Sequence, residues 1–83
     1  MIHWLRQVEM KVECWNSQHR DYPIRLYVDS ERQIVKLTMS LKLITYSRNI
    51  AKCFTFQEFN KKTPSLLRLI IDHYIYEMYE QFK

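Results

Sequence analysis

Apolar and polar residues alternate strictly in the middle of the chain. In the segment VKLTMSLKL (35–43), every odd-numbered residue is apolar and every even-numbered residue is polar. Nine residues at period two predict a strand with one buried face, because successive side chains of a strand point to opposite faces. The segment IAKCFTFQEF (50–59) alternates as well, with Phe54 and Phe56 on the core face, and predicts an antiparallel neighbour. Residues 47–49 are predicted to form the turn between the two strands.

The N-terminal segment VEMKVECW alternates in the same way and also predicts a half-buried strand. A helical interpretation exists, since Val8, Val12 and Trp15 are spaced as i, i+4 and i+7. A helix would, however, move Met10 and Cys14 to other faces. We therefore predict a strand for this segment.

A C-terminal helix is predicted to begin within NKKTPSLLRL. Thr63 is a favourable N-cap residue. Pro64 suits the first helical position, because the N–H at that position has no hydrogen-bond partner within a helix. At 100° per residue, one broad apolar face would cover the sheet. Its members are Leu67, Ile70, Ile71, Tyr74, Ile75, Met78 and Phe82.

With one more alternating stretch, PIRLYVD, the chain is predicted to form a single α+β domain over residues 1–83. The architecture is a four-stranded antiparallel β-meander followed by one C-terminal helix packed on the sheet (ββββα). Strands are predicted at about 6–15, 23–29, 34–46 and 50–57, and the helix at about 64–82. The core is predicted to include Leu37, Leu41, Phe54, Ile71 and Met78.

The predicted helix has a second stripe opposite its apolar face. Leu69, Asp72, Tyr76 and Tyr79 follow one another at spacings of 3, 4 and 3, which is coiled-coil spacing. A helix that packs on one sheet needs only one apolar face. We therefore predict that Leu69, Tyr76 and Tyr79 contact a second copy or another protein. The alternative is an ordinary surface with water-tolerant tyrosines and one exposed leucine.

Composition narrows the function classes. The sequence of 83 residues contains no glycine, which excludes glycine-rich phosphate loops. Cys14 and Cys53 lack CxxC or CxxH spacing, so we expect no zinc site and two reduced thiols in or near the core. The chain has no apolar run long enough to span a membrane and no signal-peptide pattern. We expect a cytoplasmic protein that does not contact membranes.

Catalytic constellations are absent from the sequence pattern. The three histidines, His3, His19 and His73, fall on unrelated segments. Glu9 and Glu13 would lie roughly 13 Å apart on a strand, too far for joint acid–base work. Asp72 is interpreted as the helical ion-pair partner of Arg68, four residues earlier. We predict no enzymatic activity, no cofactor, no metal and no small-molecule substrate.

The net charge of +4 is concentrated in residues 34–63, which contain six basic residues and one acidic residue. Single-stranded nucleic acid needs such charge together with stacking aromatics. The outer sheet face is predicted to present Lys11, Arg25, Lys36 and Lys42, with the aromatics Tyr27, Trp15 and Tyr46. Acidic residues predicted on the same face, Glu9, Glu13 and Asp29, lower its net charge to about +1. At one end of the meander, His19, Arg20, Arg48 and Lys52 are predicted to meet.

These observations predict a small non-enzymatic binding protein of adaptor or inhibitor type. Its partner is predicted to be a protein of unspecified identity, and the chain itself is predicted to form a homodimer. The alternative is binding of single-stranded nucleic acid through the basic sheet face or its rim. The residues predicted for that contact are Arg20, Arg25, Tyr27, Lys36, Lys42, Arg48 and Lys52.

Overall fold

The structure, a computed structural model, describes residues 3–42 and 47–82, and the side chains of 3–41 and 48–82. The elements are α1 (His3–Gln18), β1 (Ile24–Asp29), β2 (Ile34–Lys42), β3 (Ser47–Thr55), α2 (Phe56–Asn60) and α3 (Pro64–Glu80). The predicted α+β class with an antiparallel sheet is confirmed. The predicted four-stranded sheet is wrong, because the described sheet has three strands in the order β1-β2-β3.

The segment predicted as the first strand forms α1 instead. Its buried residues are Trp4, Val8, Val12 and Trp15, whereas Met10 and Cys14 are exposed. The physical reason lies in the two tryptophans, which are separated by eleven positions. An odd separation places two residues on opposite faces of a strand, but eleven residues are close to three full turns of a helix. Only the helix buries both large aromatic side chains in one core.

The alternation predicted for residues 35–43 is confirmed along β2 up to Met39. Val35, Leu37 and Met39 are buried on the inner face of β2, while Leu41 is only half-buried. The turn predicted at 47–49 is wrong, because these residues belong to β3, where Ser47 pairs with Lys42. Residues 43–46, which form the predicted end of the strand at 34–46, lie outside the described residues.

The predicted start of the C-terminal helix is confirmed. The hydroxyl oxygen of Thr63 accepts a hydrogen bond from the backbone N–H of Leu66, and Pro64 opens the helix. The short helix α2 was not predicted. The hydroxyl of Thr55 accepts a bond from the N–H of Glu58, whose carboxylate accepts one from the N–H of Thr55. This capping box follows the pattern Thr-x-x-Glu and is the sequence signal for α2.

Both long helices pack on the same face of the sheet. Trp4 of α1 lies beside α2, where its indole Nε1 donates to Asn60 Oδ1 at 2.6 Å. Trp15, at the other end of α1, contacts Tyr76 and Tyr79 near the end of α3. The helices α1 and α3 therefore run parallel, and the core lies between them and the inner sheet face. Its buried members from α3 are Leu67, Ile71, Ile75 and Met78.

No described element covers the second face of the sheet, which we call the open face. Both cysteines are exposed rather than near the core, Cys14 on α1 and Cys53 on the open face. Both lie on the polar side of their elements, which explains their exposure. No helix within residues 3–42 and 47–82 is long and apolar enough to cross a membrane.

Candidate interaction surfaces

An aromatic cluster joins the C-terminal parts of α1 and α3. The indole Nε1 of Trp15 donates to the carbonyl oxygen of Tyr22 at 2.8 Å. The ring of Tyr79 lies edge-on to the rings of Trp15 and Tyr22, with centroids 5.4 and 4.9 Å apart. His19 stacks flat on Trp15, with ring centroids 3.6 Å apart, and its ring also lies 5.9 Å from that of Tyr79. The structure thus places Tyr79, half-buried, where it holds α3 against α1.

An ion pair crosses the same helix pair. The Nζ of Lys11 lies 2.8 Å from Oδ2 of Asp72, and both side chains are partly shielded from water. The prediction that Asp72 pairs with Arg68 within α3 is corrected by this contact. The sequence offered no signal for it, because Lys11 was assigned to a strand on the sheet.

The solvent-facing side of α3 presents several large hydrophobic residues. Leu66, Leu69 and Tyr76 are 44, 67 and 57% exposed, three of the six exposed large hydrophobic residues in the described part of the chain. With the exposed His73 they follow a spacing of 3, 4 and 3. We call Leu66, Leu69, His73 and Tyr76 the outer stripe. The prediction named Leu69 and Tyr76 and missed Leu66 and His73, although the same spacing begins at Leu66.

Glu77 ties α3 to the sheet beside the outer stripe. Lys52 of β3 donates to its Oε2, and His73 Nε2 lies 2.8 Å from its Oε1. The hydrogen bond from Lys52 holds the pKa of the Glu77 carboxyl below its ordinary value despite desolvation, and the charge of Lys52 and the adjacent His73 lower it further. Lys52 also lies over the ring of Tyr74, so it faces α3 and not the open face.

The open face presents one aromatic side chain between two cations. Arg25 and Tyr27 are exposed neighbours on β1, and Lys36 of β2 pairs with Tyr27, with its Nζ 5.9 Å from the ring centroid. Asp29 accepts bonds from two backbone N–H groups of the β1–β2 turn and lies 3.9 Å from Arg32, which offsets its charge locally.

Four residues assigned to the open face by sequence lie elsewhere. Lys11, Trp15, Glu9 and Glu13 all belong to α1, which packs on the opposite face. The prediction that they line the outer sheet face is therefore wrong, for the same reason that the first strand is wrong. The Lys42 side chain and Tyr46 lie outside the described residues.

A polar hollow of about 440 Å³ adjoins Tyr27 on the open face. It is lined by Asn16, Pro23, Ile24, Arg25, Tyr27, Thr38, Ser40 and Asn49. Asn16 satisfies the backbone of Ile24 at the edge of β1. Its Oδ1 accepts from the N–H of Ile24, and its Nδ2 donates to the carbonyl oxygen of Ile24. The hydroxyl of Thr38 is buried without a hydrogen-bond partner among the described residues.

The predicted basic end is only partly assembled. Arg20 lies exposed in the loop after α1, and the guanidinium of Arg48 lies 5.5 Å from the ring centroid of Phe82. The same Phe82 ring contacts Tyr22 of that loop, so the loop and the start of β3 share an end. His19 is engaged with the aromatic cluster. Lys52, as described above, lies away from this end.

A second cleft, of about 530 Å³, lies between α2 and α3. Aromatic rings from Phe54, Phe59 and Tyr74 line it together with Lys61 and Lys62. Within residues 3–42 and 47–82, no three His, Cys, Asp or Glu side chains are placed to hold a metal ion. The surfaces described here therefore include exposed hydrophobic area on α3 and a cationic, aromatic patch on the sheet.

Comparison of the chain with protein-family models, curated proteins and solved structures gives no match.

Proposed function

We propose that this chain is a non-enzymatic binding domain whose protein contact is the outer stripe of α3, and that it associates with a second copy of itself. The observation that supports this most strongly is the exposure of Leu66, Leu69 and Tyr76 on one side of a helix that already buries another apolar face. Burial of that area against a partner is favourable by about 25 cal/mol per Å² of apolar surface.

The spacing of the outer stripe supports a helical partner. Residues at intervals of 3 and 4 keep the same orientation along a helix and form a seam that a second helix can fill. Tyr76 is also suited to the centre of a contact, because tyrosine combines a large apolar ring with a polar hydroxyl. Tyr79 is not part of this proposal, since it is half-buried against Trp15 and Tyr22. Tyr76 also meets the Trp15 ring edge-on, but it remains 57% exposed.

Sedimentation equilibrium of the wild type and of Tyr76→Glu tests the proposal. The wild type should gain mass above 10.4 kDa as its concentration rises, and Tyr76→Glu should remain monomeric because a carboxylate would be buried without a partner. Tyr27→Glu is the matched control, since it makes the same change at an exposed tyrosine of the open face. A wild type that stays at 10.4 kDa at every concentration would rule out self-association.

The open face supports a second candidate, the binding of single-stranded nucleic acid. The specific observation is that Glu9 and Glu13 are not on this face, so two of the three acidic residues that counted against phosphate binding are removed from it. Lys11 leaves the face with them, and Asp29 stays there beside Arg32. What remains is Tyr27 between Arg25 and Lys36, beside a polar hollow. A stacking ring flanked by cations is the arrangement that a single strand requires.

A fluorescently labelled single-stranded oligonucleotide tests this candidate at two salt concentrations. Binding that weakens steeply with salt and is lost in Tyr27→Ala would support it, because stacking contributes about 1–3 kcal/mol per base. Tyr76→Ala serves as the control and should leave such binding unchanged. No binding at low salt would eliminate this candidate and leave the proposal for α3 untouched.

A further inference from the structure

We propose that β3 binds an extended segment of another protein as a fourth strand, and that the cleft between α2 and α3 takes an apolar side chain of that segment, next to its acidic residues. We call the side of β3 that faces away from β2 the β3 edge. This edge is separate from the outer stripe, and binding there does not depend on self-association. Support comes from unpaired backbone groups along the β3 edge and from the position and charge of the cleft.

The pairing of β3 with β2 determines which backbone groups lie at the β3 edge. Antiparallel pairs alternate between those that exchange both hydrogen bonds and those that exchange none. The N–H of Phe56 donates to the carbonyl oxygen of Gln33, which continues the β2–β3 register by one residue. Because this register is unbroken, the even-numbered residues of β3 bond to β2. The N–H and carbonyl groups of Asn49, Ala51 and Cys53 therefore point away from β2.

These outward groups are available to a partner. Within residues 3–42 and 47–82, no group bonds to the outward N–H and carbonyl groups of Asn49, Ala51 and Cys53, and all three residues are exposed. At Thr55, the next outward position, the carboxylate of Glu58 accepts the bond from the N–H. An added strand that pairs with the β3 edge would bond to the unpaired groups and gain affinity from main-chain hydrogen bonds.

The opposite edge of the sheet is partly blocked. Asn16 bonds to the N–H and the carbonyl oxygen of Ile24 at the edge of β1. Proteins also protect edge strands with prolines, bulges or outward lysines. The strand β3 has no proline and no bulge, and its cations Arg48 and Lys52 contact Phe82 and α3. The β3 edge therefore lacks the usual features that prevent the addition of a strand.

The cleft of about 530 Å³ lies at the end of the β3 edge. Its lining includes Phe54 and Thr55, the last two residues of β3, together with Phe59, Ile70 and Tyr74. Side chains of an added strand alternate between the two faces of the sheet. The side chain beside the buried Phe54 would point to the inner face, toward the cleft. The rings of the cleft favour an aromatic or large aliphatic side chain there.

The charge of the cleft favours acidic residues next to that side chain. Lys61 and Lys62 line the cleft and form no ion pair within residues 3–42 and 47–82. Glu58 also lines it, but its carboxylate already accepts the N–H of Thr55. Antiparallel pairing is slightly more stable per residue than parallel pairing. In an antiparallel partner the acidic residues precede the apolar one, because the two lysines follow the end of β3.

A fluorescein-labelled peptide, Glu-Glu-Phe-Thr-Val-Thr-Val, tests the proposal by fluorescence anisotropy with the full chain. Its phenylalanine is designed to lie beside Phe54 and its threonines opposite Cys53 and Ala51. The Kd should rise by about tenfold or more when alanine replaces the phenylalanine. It should rise by about 2- to 30-fold when lysines replace both glutamates, and this difference should shrink as salt is added.

Methylation of the peptide backbone tests the added strand without changing the protein. The threonine N–H groups would point to β3 and the valine N–H groups away from it, because only every second residue of a strand bonds to a given neighbour. Methylation of both threonine nitrogens should abolish binding. Methylation of both valine nitrogens is the matched control and should leave the Kd close to that of the unmodified peptide.

The matching change in the protein is Ala51→Pro, which removes an outward N–H. Val28→Pro is its control on β1. The N–H of Ser40 bonds to the carbonyl oxygen of Pro23, so the odd-numbered residues of β1 bond to β2 and the N–H of Val28 also points outward. Proline is tolerated at such edge positions, and circular dichroism should show both variants folded. Ala51→Pro should lose binding, and Val28→Pro should retain it.

Amide hydrogen exchange locates the contact, since binding of the peptide should slow exchange at Ala51 and Cys53. No binding of the unmodified peptide up to about 1 mM, or equal weakening by the two methylations, would overturn the proposal. Slow exchange that develops at these amides without peptide, as the protein concentration rises, would assign the β3 edge to a second copy and would also overturn it. The outer stripe is tested separately by Tyr76→Glu, so the two proposals can fail independently.

Discussion

Alanine replacement of Val8 and of Met10, which are two positions apart, tests whether α1 is a helix or a strand. Val8 is fully buried in the core, whereas Met10 is 47% exposed. In a strand the two residues would share one face. In the helix they lie on different faces, because two residues advance the helix by about 200°.

The expected magnitudes follow from burial. Val8→Ala removes two methyl groups, worth about 0.8 kcal/mol each, and leaves a cavity that adds to the cost. We expect a loss of about 2 kcal/mol in the free energy of unfolding, which corresponds to a Tm lower by about 8–16 °C for a domain of this size. Met10→Ala should change stability by less than about 0.5 kcal/mol, since alanine is the best helix former and the site faces water.

Urea unfolding followed by far-ultraviolet circular dichroism measures both variants against the wild type. The m-value should stay constant, so that a change in midpoint reports stability alone. Equal losses for Val8→Ala and Met10→Ala would contradict the helix and restore the half-buried strand. A larger loss for Met10→Ala would refute both the face assignment and the packing described for Trp4 and Trp15.

Three further predictions concern the sheet, the α3 cap and the pH dependence. Leu37→Ala should lower the free energy of unfolding in urea by about 2–5 kcal/mol, because Leu37 is fully buried. Lys36→Ala on the open face should lower it by less than about 0.5 kcal/mol. The opposite ranking would reverse the assignment of the buried and exposed faces of β2. Thr63→Ala should lower the free energy of unfolding by about 1 kcal/mol through loss of the N-cap, and a silent result in thermal unfolding would show that α3 begins elsewhere. The folded state holds the pKa of Glu77 below its unfolded value, so the ionised carboxylate stabilises the fold at neutral pH, and this stabilisation is lost as the pH falls through the folded pKa. Glu77→Gln should therefore flatten the acid side of a curve of unfolding free energy against pH. An unchanged curve would show that the contact with Lys52 is not formed in solution.

The buried face of β2 and the start of the last helix were predictable because their signals are local and redundant. Nine alternating residues determine which face of β2 is buried, and Thr63 followed by Pro64 specifies a helix start without reference to any other segment. The N-terminal segment was not predictable from periodicity, since its apolar positions fit two periods at once. The odd separation of Trp4 and Trp15 distinguishes a helix from a strand, but only if both tryptophans are known to belong to one core.

The exposed surfaces were predictable only where exposure depends on a single element. Leu69 and Tyr76 lie far from the buried face of α3 on any helical projection, and both are exposed. Tyr79 lies nearer the buried face, so its environment depends on a second element. That element is α1, which brings Trp15 against Tyr79 and which was assigned to the sheet. Because α1 was predicted to be a strand, Glu9 was also predicted to lie on the open face of the sheet, whereas the structure places it on α1.

A nuclear magnetic resonance dilution series tests the central claim most directly, because it locates self-association on individual residues. Signals of Leu66, Leu69 and Tyr76 should shift with concentration, while those of Tyr27 and Lys36 on the open face should not. The Tyr76→Glu variant should show none of these shifts. Concentration-dependent shifts confined to the open face, or no shifts at any concentration, would contradict the assignment of the outer stripe as the site where two copies meet.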